Sequence, residues 1–250
     1  MLAPAIIYED NHLLIVQKSP GYLAQPDGSP RPDVLNWAEK YLARNKPGRA
    51  FVGLVHRLDR AVGGVLALAK TSKAASRLSR QFRERTVDKF YLALVEGGLQ
   101  EEAGEISQDL VRVGDFTRPA GAGEKGTAAA LTWRARQKGG RFDLLEIKLL
   151  TGFKHQIRAQ LAALGRPVLG DEKYGSGHRP FTPTKGQLNE SNRPRTDGCL
   201  IISPFRSEGE SIGLWAEKLI LDHPTTKERL SFQAAPPAFW PWNLMDEQPH

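Results

Sequence analysis

The sequence predicts an α+β fold built around a mixed, largely antiparallel sheet. Segments with strand periodicity and segments with helical periodicity alternate irregularly, without the regular strand–helix–strand repeat of a parallel α/β protein. The chain has 250 residues, of which 40% are hydrophobic and 25% are charged, a composition typical of a globular protein with a substantial core. We therefore expect one domain over residues 1–250.

The first half of the chain predicts a hairpin, a helix, a strand and a second helix. Strand periodicity on both sides of Asp10 and Asn11 indicates a turn between two short strands. Helical spacing begins after Asp33 and again after Thr71 or Ser72, residue types that cap helix N-termini. The predicted ranges are 5–18 for the hairpin, 33–44 for the first helix, 64–69 for the strand and 72–85 for the second helix.

The second half predicts further strands, one more helix and two irregular segments. The helix, over 154–164, ends at Gly165. Residues 114–126 and 175–198 are rich in glycine and polar residues and can bury little apolar surface, so we expect mobile loops there, the second being a flexible insertion. The predicted strands are 90–96, 128–136, 142–150, 199–203, 211–222 and 229–233.

The charge of the chain favours a polyanionic partner. Lys and Arg number 35 against 28 Asp and Glu, which gives a formal charge of +7. Residues 56–90 alone hold nine of the basic residues and only three acidic ones. A localised excess of this kind is typical of proteins that bind nucleic acid.

The cysteine count and the hydropathy of the chain indicate its cellular compartment. Cys199 is the only cysteine, which excludes an internal disulfide and a cysteine-based metal site. No apolar run approaches the length needed to cross a membrane, and residues 1–9 lack the features of a secretory leader. We therefore expect a cytoplasmic protein.

The tetrapeptide 56–59, with the sequence HRLD, carries the strongest chemical signal. Asp59 lies between Arg57 and Arg60 in a segment flanked by apolar residues. Neighbouring cations keep a carboxylate ionised even when it is partly desolvated, and a positioned anionic carboxylate can act as a nucleophile or as a proton acceptor. The surrounding positive charge indicates a substrate that carries phosphates.

Two further segments carry candidate site residues. Tyr91 lies in a predicted strand directly after the second, basic helix. Lys154, His155 and Arg158 lie at the start of the third predicted helix, where free backbone amides and positive charge suit a phosphate or a carboxylate. On residue type alone, His155 fits a hydrogen-bonding role better than a catalytic one, and the same holds for His56.

Several motifs, in the same order along the chain, resemble the RluA family of RNA pseudouridine synthases. HRLDRAVGGVLALAK at 56–70 resembles the family motif HRLDxxTSGxLLxAK, TGFKHQIR at 151–158 resembles TGRTHQIR, and GDEKYG at 170–175 resembles GDxxYG. The segments 8–28 and 213–237 resemble the N-terminal strands and the LHAxxLxFxHP segment of the family. The resemblance covers nearly the whole chain and implies a catalytic domain without the S4 module of some relatives.

The resemblance implies the pseudouridine synthase fold, in which the sheet consists of two halves with a central cleft. It also implies isomerisation of a uridine to pseudouridine in ribosomal or transfer RNA, a reaction that requires no metal or other cofactor. Asp59 would be the catalytic carboxylate, Arg158 would pair with it, and Tyr91 would stack on the target base. We expect a monomer without an obligate protein partner.

RNA contacts are expected from the basic residues around these motifs. Arg57 would fill the space that the flipped uridine leaves, since a guanidinium stacks on bases. The outward face of helix 72–85 would hold backbone phosphates and make binding sensitive to salt; a merely solvated charged face is the alternative. The expected RNA-binding residues are Arg57, Arg60, Lys73, Arg77, Arg80, Lys154 and His155.

Three departures from the family pattern concern side chains near these motifs. They motivate one alternative function, an RNA-binding protein on the same scaffold with little or no isomerase activity. A hydrolase that uses Asp59 and His155 is a second alternative. The departures are Val62-Gly63 in place of Thr-Ser, Phe153-Lys154 in place of Arg-Thr, and Trp215 in place of the histidine of LHA.

Overall fold

Eleven strands join in one sheet in the computed structural model, which describes residues 3–44, 50–96, 98–138, 142–175, 211–238 and 241–245. In chain order the strands are β1 (Ala5–Glu9), β2 (Leu13–Lys18), β3 (Gly53–Leu54), β4 (Gly63–Ala69), β5 (Asp88–Glu96), β6 (Ala103–Val113), β7 (Phe116–Pro119), β8 (Thr127–Gln137), β9 (Phe142–Leu149), β10 (Leu214–Asp222) and β11 (Arg229–Gln233). The helices are α1 (Val34–Ala43), α2 (Ser72–Arg83), α3 (Gln156–Ala163) and a 3-10 helix over Trp242–Met245. None of the helices in these ranges is long and apolar enough to span a bilayer.

The sheet consists of two halves that meet at a short parallel join. The order across the sheet is β1-β2-β4-β10-β5-β9-β8-β6-β7, with β3 beside β4 and β11 beside β10. Among the described strands only β4 and β10 pair in parallel, matching Gly63 with Trp215 and Gly64 with Ala216. We call β1 to β4 the first half and β5 to β11 the second half. The predicted mixed, largely antiparallel sheet is confirmed.

Strands β2 and β4 are buried on both faces of the sheet, and successive residues of each strand point to opposite sides. In β2, Leu14 and Val16 belong to a core cluster that includes residues of α1 and α3. Leu13 and Ile15 belong to a second cluster, which includes residues of α2. This burial on both faces explains why β2 and β4 are continuous apolar runs in the sequence.

The first two helices begin at the N-caps that the sequence predicts. The carboxylate of Asp33 accepts a hydrogen bond from the amide of Asn36 at 2.8 Å, and the hydroxyl of Thr71 accepts one from the amide of Ala74 at 3.2 Å. Such side chains satisfy amides that lack a partner within the helix. Helix α2 ends two residues before its predicted end, and Arg85 beyond it has a left-handed φ of 59°.

Most predicted strands of the described ranges are confirmed within one or two residues, and the strand predicted at 211–222 begins at Leu214. The confirmed ranges are 5–18, 64–69, 90–96, 128–136, 142–150 and 229–233. The strand predicted at 199–203, with Cys199, lies outside the described residues. So does the insertion predicted at 175–198, apart from Gly175.

The expectation of an irregular loop over 114–126 is wrong for its first part. Residues Phe116–Pro119 form β7, which pairs with the end of β6. Gly114 makes the turn between them with a φ of 59°, and the buried Thr117 donates its hydroxyl to the carbonyl of Lys154 at 2.8 Å. The sequence signal is weak because β7 has only four residues, and because Lys154, whose carbonyl holds Thr117, is distant in the chain.

Arg77, which the sequence places on the outward face of helix 72–85 with Lys73 and Arg80, is only partly exposed. Its guanidinium donates to the carbonyl of Pro224 at 2.8 Å, and the side chain is half-buried. One turn further along α2, the amide of Gln81 donates to the carbonyl of Asp222 at 2.8 Å. This side of the helix packs against the end of β10, a contact that helical periodicity alone does not predict.

Two departures from the family pattern, Gly63 and Trp215, lie in contact at the join. A Cβ atom on Gly63 would lie 2.2 Å from Cζ3 of Trp215, far closer than packed atoms approach. Trp215 is 1% exposed, and its indole N–H donates to the carbonyl of Ala234 at 2.8 Å. The indole occupies most of the space that a larger residue at position 63 would need, and Cδ of Pro20 lies 2.8 Å from the same Cβ position. We therefore expect the two exchanges to compensate each other in part.

We predict that Gly63→Ser lowers the free energy of unfolding by about 2 to 3 kcal/mol, because overpacking a filled core costs about 1 to 3 kcal/mol. In the double variant Gly63→Ser with Trp215→His, the decrease in the free energy of unfolding should be smaller than the sum of the decreases in the two single variants, by at least about 1 kcal/mol. Chemical denaturation of the wild type, both single variants and the double variant measures this coupling.

Gly121→Ala is the control for this comparison of single and double variants. A Cβ atom on Gly121 would meet only the carboxylate of Glu124, at 3.6 Å, so its effect should stay within about 0.5 kcal/mol. Additive losses at positions 63 and 215 would contradict the compensation.

Candidate active site

An open cleft of about 780 Å³ is lined by both halves of the sheet. The first half contributes the loop between β3 and β4, which carries Asp59. The second half contributes Tyr91 from β5 and the start of α3, with His155 and Arg158. The cleft therefore brings together the three predicted catalytic residues, Asp59, Tyr91 and Arg158.

Arg158 connects Asp59 to a second carboxylate, that of Asp171. Its Nη1 donates to Oδ2 of Asp59 at 3.0 Å. Its Nε and Nη2 donate to the two carboxylate oxygens of Asp171 at 2.6 and 2.8 Å. The Asp171 side chain is 1% exposed, and a bidentate pair fixes the plane of a guanidinium. Asp171 therefore sets the direction from which Arg158 approaches Asp59.

The charge of Arg158 is secured by the same contacts. Burial alone would lower its pKa, but the hydrogen bonds and negative charge of Asp171, with the charge of Asp59, raise the pKa above its ordinary value. The guanidinium thus supplies a permanent positive charge to Asp59, whose own side chain is 28% exposed to the cleft.

Tyr91 is a largely buried member of the cleft lining, with 9% of its surface exposed. Burial, reinforced by the negative charge of Asp59, raises the pKa of its hydroxyl. The phenol keeps its proton at neutral pH, so Tyr91 presents an uncharged ring and a proton donor to a molecule in the cleft.

His155 also faces Asp59. Its Nε2 lies 3.5 Å from Oδ2 of Asp59, and its Nδ1 lies 2.9 Å from the hydroxyl oxygen of Tyr174. The backbone of His155 has a left-handed φ of 55°, which explains why α3 begins at Gln156 and not at the predicted Lys154. Burial lowers the pKa of His155 to about 4, although the charge of Asp59 opposes the shift.

His56 has the hydrogen-bonding role that its residue type suggests. Its Nε2 accepts a hydrogen bond from the amide of Ala67 at 3.0 Å, and its ring stacks on that of Phe82 with centroids 4.6 Å apart. Burial lowers its pKa to about 3. The neutral imidazole therefore attaches the start of the Asp59 loop to β4.

Lys18 holds the Asp59 loop from the side of β2. Its Nζ donates to the carbonyls of Ser19, Tyr22 and Arg60 at 3.2, 2.8 and 3.2 Å, and its side chain is fully buried. Burial lowers the pKa of Lys18 to about 7, while the charge of Asp59 opposes the shift. Because Arg60 directly follows Asp59, these bonds fix the loop to the turn after β2.

Three of the predicted RNA-binding residues line the cleft: Arg57, Lys154 and His155. Arg57 is exposed, and the Nζ of Lys154 lies 3.2 Å from the carboxylate of Asp115. Arg60 is half-buried, and its carbonyl accepts the hydrogen bond from Lys18. Of these side chains, that of Arg57 is open to solvent, whereas the amine of Lys154 already pairs with Asp115.

The three cations predicted on α2 lie outside the cleft lining. Lys73 and Arg80 are exposed, and Arg77 is bound to the backbone of Pro224. Four other cations, none of them predicted, line the cleft: two lie at the end of α2 or just after it, one lies on β5 and one on β6. They are Arg83, Arg85, Lys89 and Arg112.

The departures from the family pattern fall into two sets. Val62, Phe153 and Lys154 line the cleft, so these exchanges change the surface that a ligand meets. Gly63 and Trp215 are buried at the join and contact each other. Their exchange changes the packing of the sheet and leaves the cleft lining unaltered.

Besides the four unpredicted cations of the cleft lining, three residues that hold Asp59 and its neighbours were not predicted: Lys18, Asp171 and Tyr174. The last two lie in GDEKYG at 170–175, so the resemblance of that motif to GDxxYG was an available signal. Lys18 lies in the segment 8–28, which also resembles the family. Their roles depend on contacts with Asp59 and its neighbours that residue type and local spacing do not predict.

Comparison with known proteins gives matches along most of the chain. The family described as RNA pseudouridylate synthase matches residues 12–163. An uncharacterized RNA pseudouridine synthase of Aquifex aeolicus is 34% identical over 175 residues, 68% of this chain and 55% of that protein. The dual-specificity RNA pseudouridine synthase RluA of Pasteurella multocida is 32% identical over 238 residues, 94% of this chain and 93% of that protein. The chain thus spans about half of the first relative and nearly all of the second.

The fold is similar to two solved human structures. Human RNA Pseudouridylate Synthase Domain Containing 4 has a TM-score of 0.72 at 24% identity, covering 96% of this chain and 92% of that one. Human RNA Pseudouridylate Synthase Domain Containing 1 has a TM-score of 0.65 at 25% identity, covering 95% and 85%. These likenesses confirm the predicted fold class.

We predict that Lys18 makes the protein more stable as the pH rises from about 7 to about 10. The unfolded chain keeps the Lys18 proton up to a pKa of 10.5, whereas burial lowers the folded pKa to about 7. The unfolded state therefore binds more protons across this window, and the free energy of unfolding increases with pH. The increase should be about 2 to 3 kcal/mol between about pH 7 and about pH 9.5.

Urea unfolding of the wild type and of Lys18→Met at both pH values measures this contribution. Methionine keeps an unbranched buried stem and removes the titrating amine, so the difference between the two proteins isolates Lys18 from the other groups. Equal pH dependence in the two proteins would contradict a buried lysine that loses its proton on folding.

Proposed function

This chain belongs to the RluA family of RNA pseudouridine synthases, and we propose that it converts a specific uridine of structured ribosomal or transfer RNA to pseudouridine. The observation that carries the proposal is the carboxylate of Asp59, partly exposed in the cleft and held by Arg158 at 3.0 Å. A carboxylate held in this way is the group that the glycosidic-bond exchange requires.

The reaction conserves its atoms and electrons. The bond between the ribose and the base nitrogen breaks, the base turns, and a bond forms between the ribose and a base carbon. That carbon loses a proton and the nitrogen gains one, so the exchange consumes no oxidant, reductant or energy source. Asp59 acts either as the nucleophile at the sugar or as the base that removes a ribose proton.

Arg158 and Tyr91 support both routes. Arg158 bonds one carboxylate oxygen of Asp59, Oδ2, and stabilises the anion that attacks the sugar or removes the proton. Tyr91 keeps its proton, because burial and the charge of Asp59 raise its pKa. Its ring stacks on the target base, and its hydroxyl relays the late proton transfer, accepting the proton from carbon while it donates its own towards the nitrogen that gains one.

The uridine must leave its stack to reach Asp59. Flipping a nucleotide costs about a few kcal/mol and costs least in a loop, which favours loop uridines as targets. Arg57 is exposed and lines the cleft, so its guanidinium is placed to fill the vacated position in the RNA stack. The cations that line the cleft contact the flanking phosphates.

We also propose that the protein acts as a monomer in the cytoplasm, with one catalytic domain. Asp59, Tyr91 and Arg158 all come from a single chain, so one copy supplies the whole site. A ribosomal large subunit pseudouridine synthase D of Pseudomonas aeruginosa is 29% identical over 239 residues, 96% of this chain and 70% of that protein, which favours a substrate found in the cytoplasm.

We predict that Asp59→Asn abolishes pseudouridine formation, with a loss of about 10³-fold or more, because it removes the anionic group that the chemistry needs. The assay incubates each protein with total RNA from a strain that lacks this gene and then maps new pseudouridines. Asp27→Asn is the matched control, since Asp27 is an exposed carboxylate that lines the same cleft and should leave the rate within about 3-fold.

Three outcomes separate the alternatives. RNA binding by the wild type without any turnover would support an RNA-binding protein on this scaffold. Full activity of Asp59→Asn would contradict the catalytic assignment. Release of free uracil in place of pseudouridine would indicate a hydrolase.

A second prediction concerns which cations hold the RNA. Arg83→Gln combined with Arg85→Asn removes two charges that line the cleft; asparagine tolerates the left-handed backbone of position 85. We expect RNA binding to weaken about 10-fold and the slope of log Kd against log salt to fall by about 1 to 2. Filter binding over a range of salt concentrations measures both quantities.

Lys73→Gln combined with Arg80→Gln is the control of equal charge. Both side chains are exposed on α2, outside the cleft lining, so the double variant should bind RNA within about 2-fold of the wild type. A larger loss from this pair than from the cleft pair would place the phosphates on the outer face of α2 instead.

A further inference from the structure

We propose that Tyr174 is a positioning residue that fixes the tautomer of His155, so that the Nε2–H of His155 is directed at the carboxylate of Asp59. The inference rests on the proposed function, because Asp59 is the group whose orientation is at stake. It adds two side chains to the three that the family resemblance assigns to catalysis.

The backbone of His155 is held in an uncommon conformation. Its φ of 55° is left-handed, which costs about 1 to 2 kcal/mol for a residue with a Cβ atom. His155 occupies the N-cap position of α3 without making a side-chain cap, so capping does not explain its presence. The conformation instead turns the imidazole towards Asp59 and Tyr174.

Strand β7 bonds both to the backbone next to His155 and to the side chain of Tyr174. The hydroxyl of Thr117 donates to the carbonyl of Lys154 at 2.8 Å, which fixes the peptide directly before His155. The amide of Thr117 donates to the hydroxyl oxygen of Tyr174 at 2.9 Å. One buried residue of β7 therefore places the backbone of His155 and the hydroxyl that contacts its ring.

The hydrogen bonds determine where the imidazole proton lies. The Tyr174 hydroxyl already accepts from the Thr117 amide, and burial raises its pKa, so it keeps a proton to donate. The acceptor is Nδ1 of His155, 2.9 Å away. Burial lowers the pKa of His155 to about 4, so the ring is neutral at pH 7 and carries one hydrogen. When Nδ1 accepts, that hydrogen lies on Nε2.

The resulting Nε2–H is directed at Asp59. Nε2 lies 3.5 Å from Oδ2, the same oxygen that Arg158 contacts at 3.0 Å. Catalytic hydrogen bonds are often long in the free enzyme and shorten with substrate bound. In the free protein Arg158 alone among the described residues donates a hydrogen bond to this carboxylate, at Oδ2, and the Nε2–H of His155 would become the second donor when the contact shortens, which leaves Oδ1 for the ribose. The other tautomer would turn a nitrogen lone pair towards the anion and repel it.

The test measures the tautomer directly. Long-range ¹H–¹⁵N spectra of the histidine-labelled wild type distinguish a protonated Nδ1 from a protonated Nε2, and His155→Asn identifies the His155 signals. His223 is an internal standard, because its Nδ1 accepts from the amide of Thr226 at 2.9 Å and its Nε2 lies 2.9 Å from the carboxylate of Asp10. We expect His155 and His223 to share the Nε2–H pattern.

Tyr174→Phe removes the hydroxyl and keeps the ring, whose centroid lies 5.0 Å from Cζ of Arg158. We expect the His155 signals to lose the pure Nε2–H pattern while those of His223 stay unchanged. We also expect kcat to fall about 10-fold with KM within about 2-fold, since the loss of one polarised hydrogen bond to a charged group has roughly this effect.

Several results would overturn the proposal. A proton on Nδ1 of His155 in the wild type would do so without any variant, as would a doubly protonated ring at pH 7. An unchanged tautomer in folded Tyr174→Phe would remove the role of Tyr174, and an altered tautomer with unchanged kcat would remove the link to catalysis. If the wild type formed no pseudouridine, the proposed function would fail, whereas the tautomer result would stand by itself.

Discussion

One guanidinium that serves two carboxylates holds the site together. Asp171 binds Arg158 through two hydrogen bonds inside the protein, and the remaining edge of the guanidinium reaches Asp59. Buried charges of this kind are stable only when each is compensated, and removal of one partner costs about 3 to 5 kcal/mol. The electrostatic arrangement of the cleft is therefore fixed by the protein before any RNA enters, and Asp59 meets its substrate already oriented.

The second constraint is geometric, because Asp59 and Arg158 belong to different halves of the sheet. The halves touch where β4 and β10 run side by side, and Gly64 has no room for a side chain there. A Cβ atom on it would lie 2.1 Å from the carbonyl oxygen of Ala216. The close approach of two backbones is what brings the β3–β4 loop opposite α3.

Local signals were sufficient for much of the fold and for part of the site. Caps, turns and apolar periodicity predicted the first hairpin, α1, α2 and most strands, because these elements are specified by neighbours in the chain. Strand β7 was missed because its anchor, Thr117, bonds to distant segments. Tyr174 was missed for the same reason. Gly63 and Trp215 looked like separate defects, since only the folded chain reveals that they touch.

The central position of β10 means that the two halves of the sheet pair with each other late in synthesis. β10 lies between β4 and β5, yet among the described strands only β11 leaves the ribosome after it. Until β10 inserts, the emerging chain exposes two open strand edges, and Asp59 and Arg158 stand on unconnected halves. A chain halted before Leu214 thus contains Asp59, Tyr91 and Arg158 but lacks the strand that pairs with both β4 and β5.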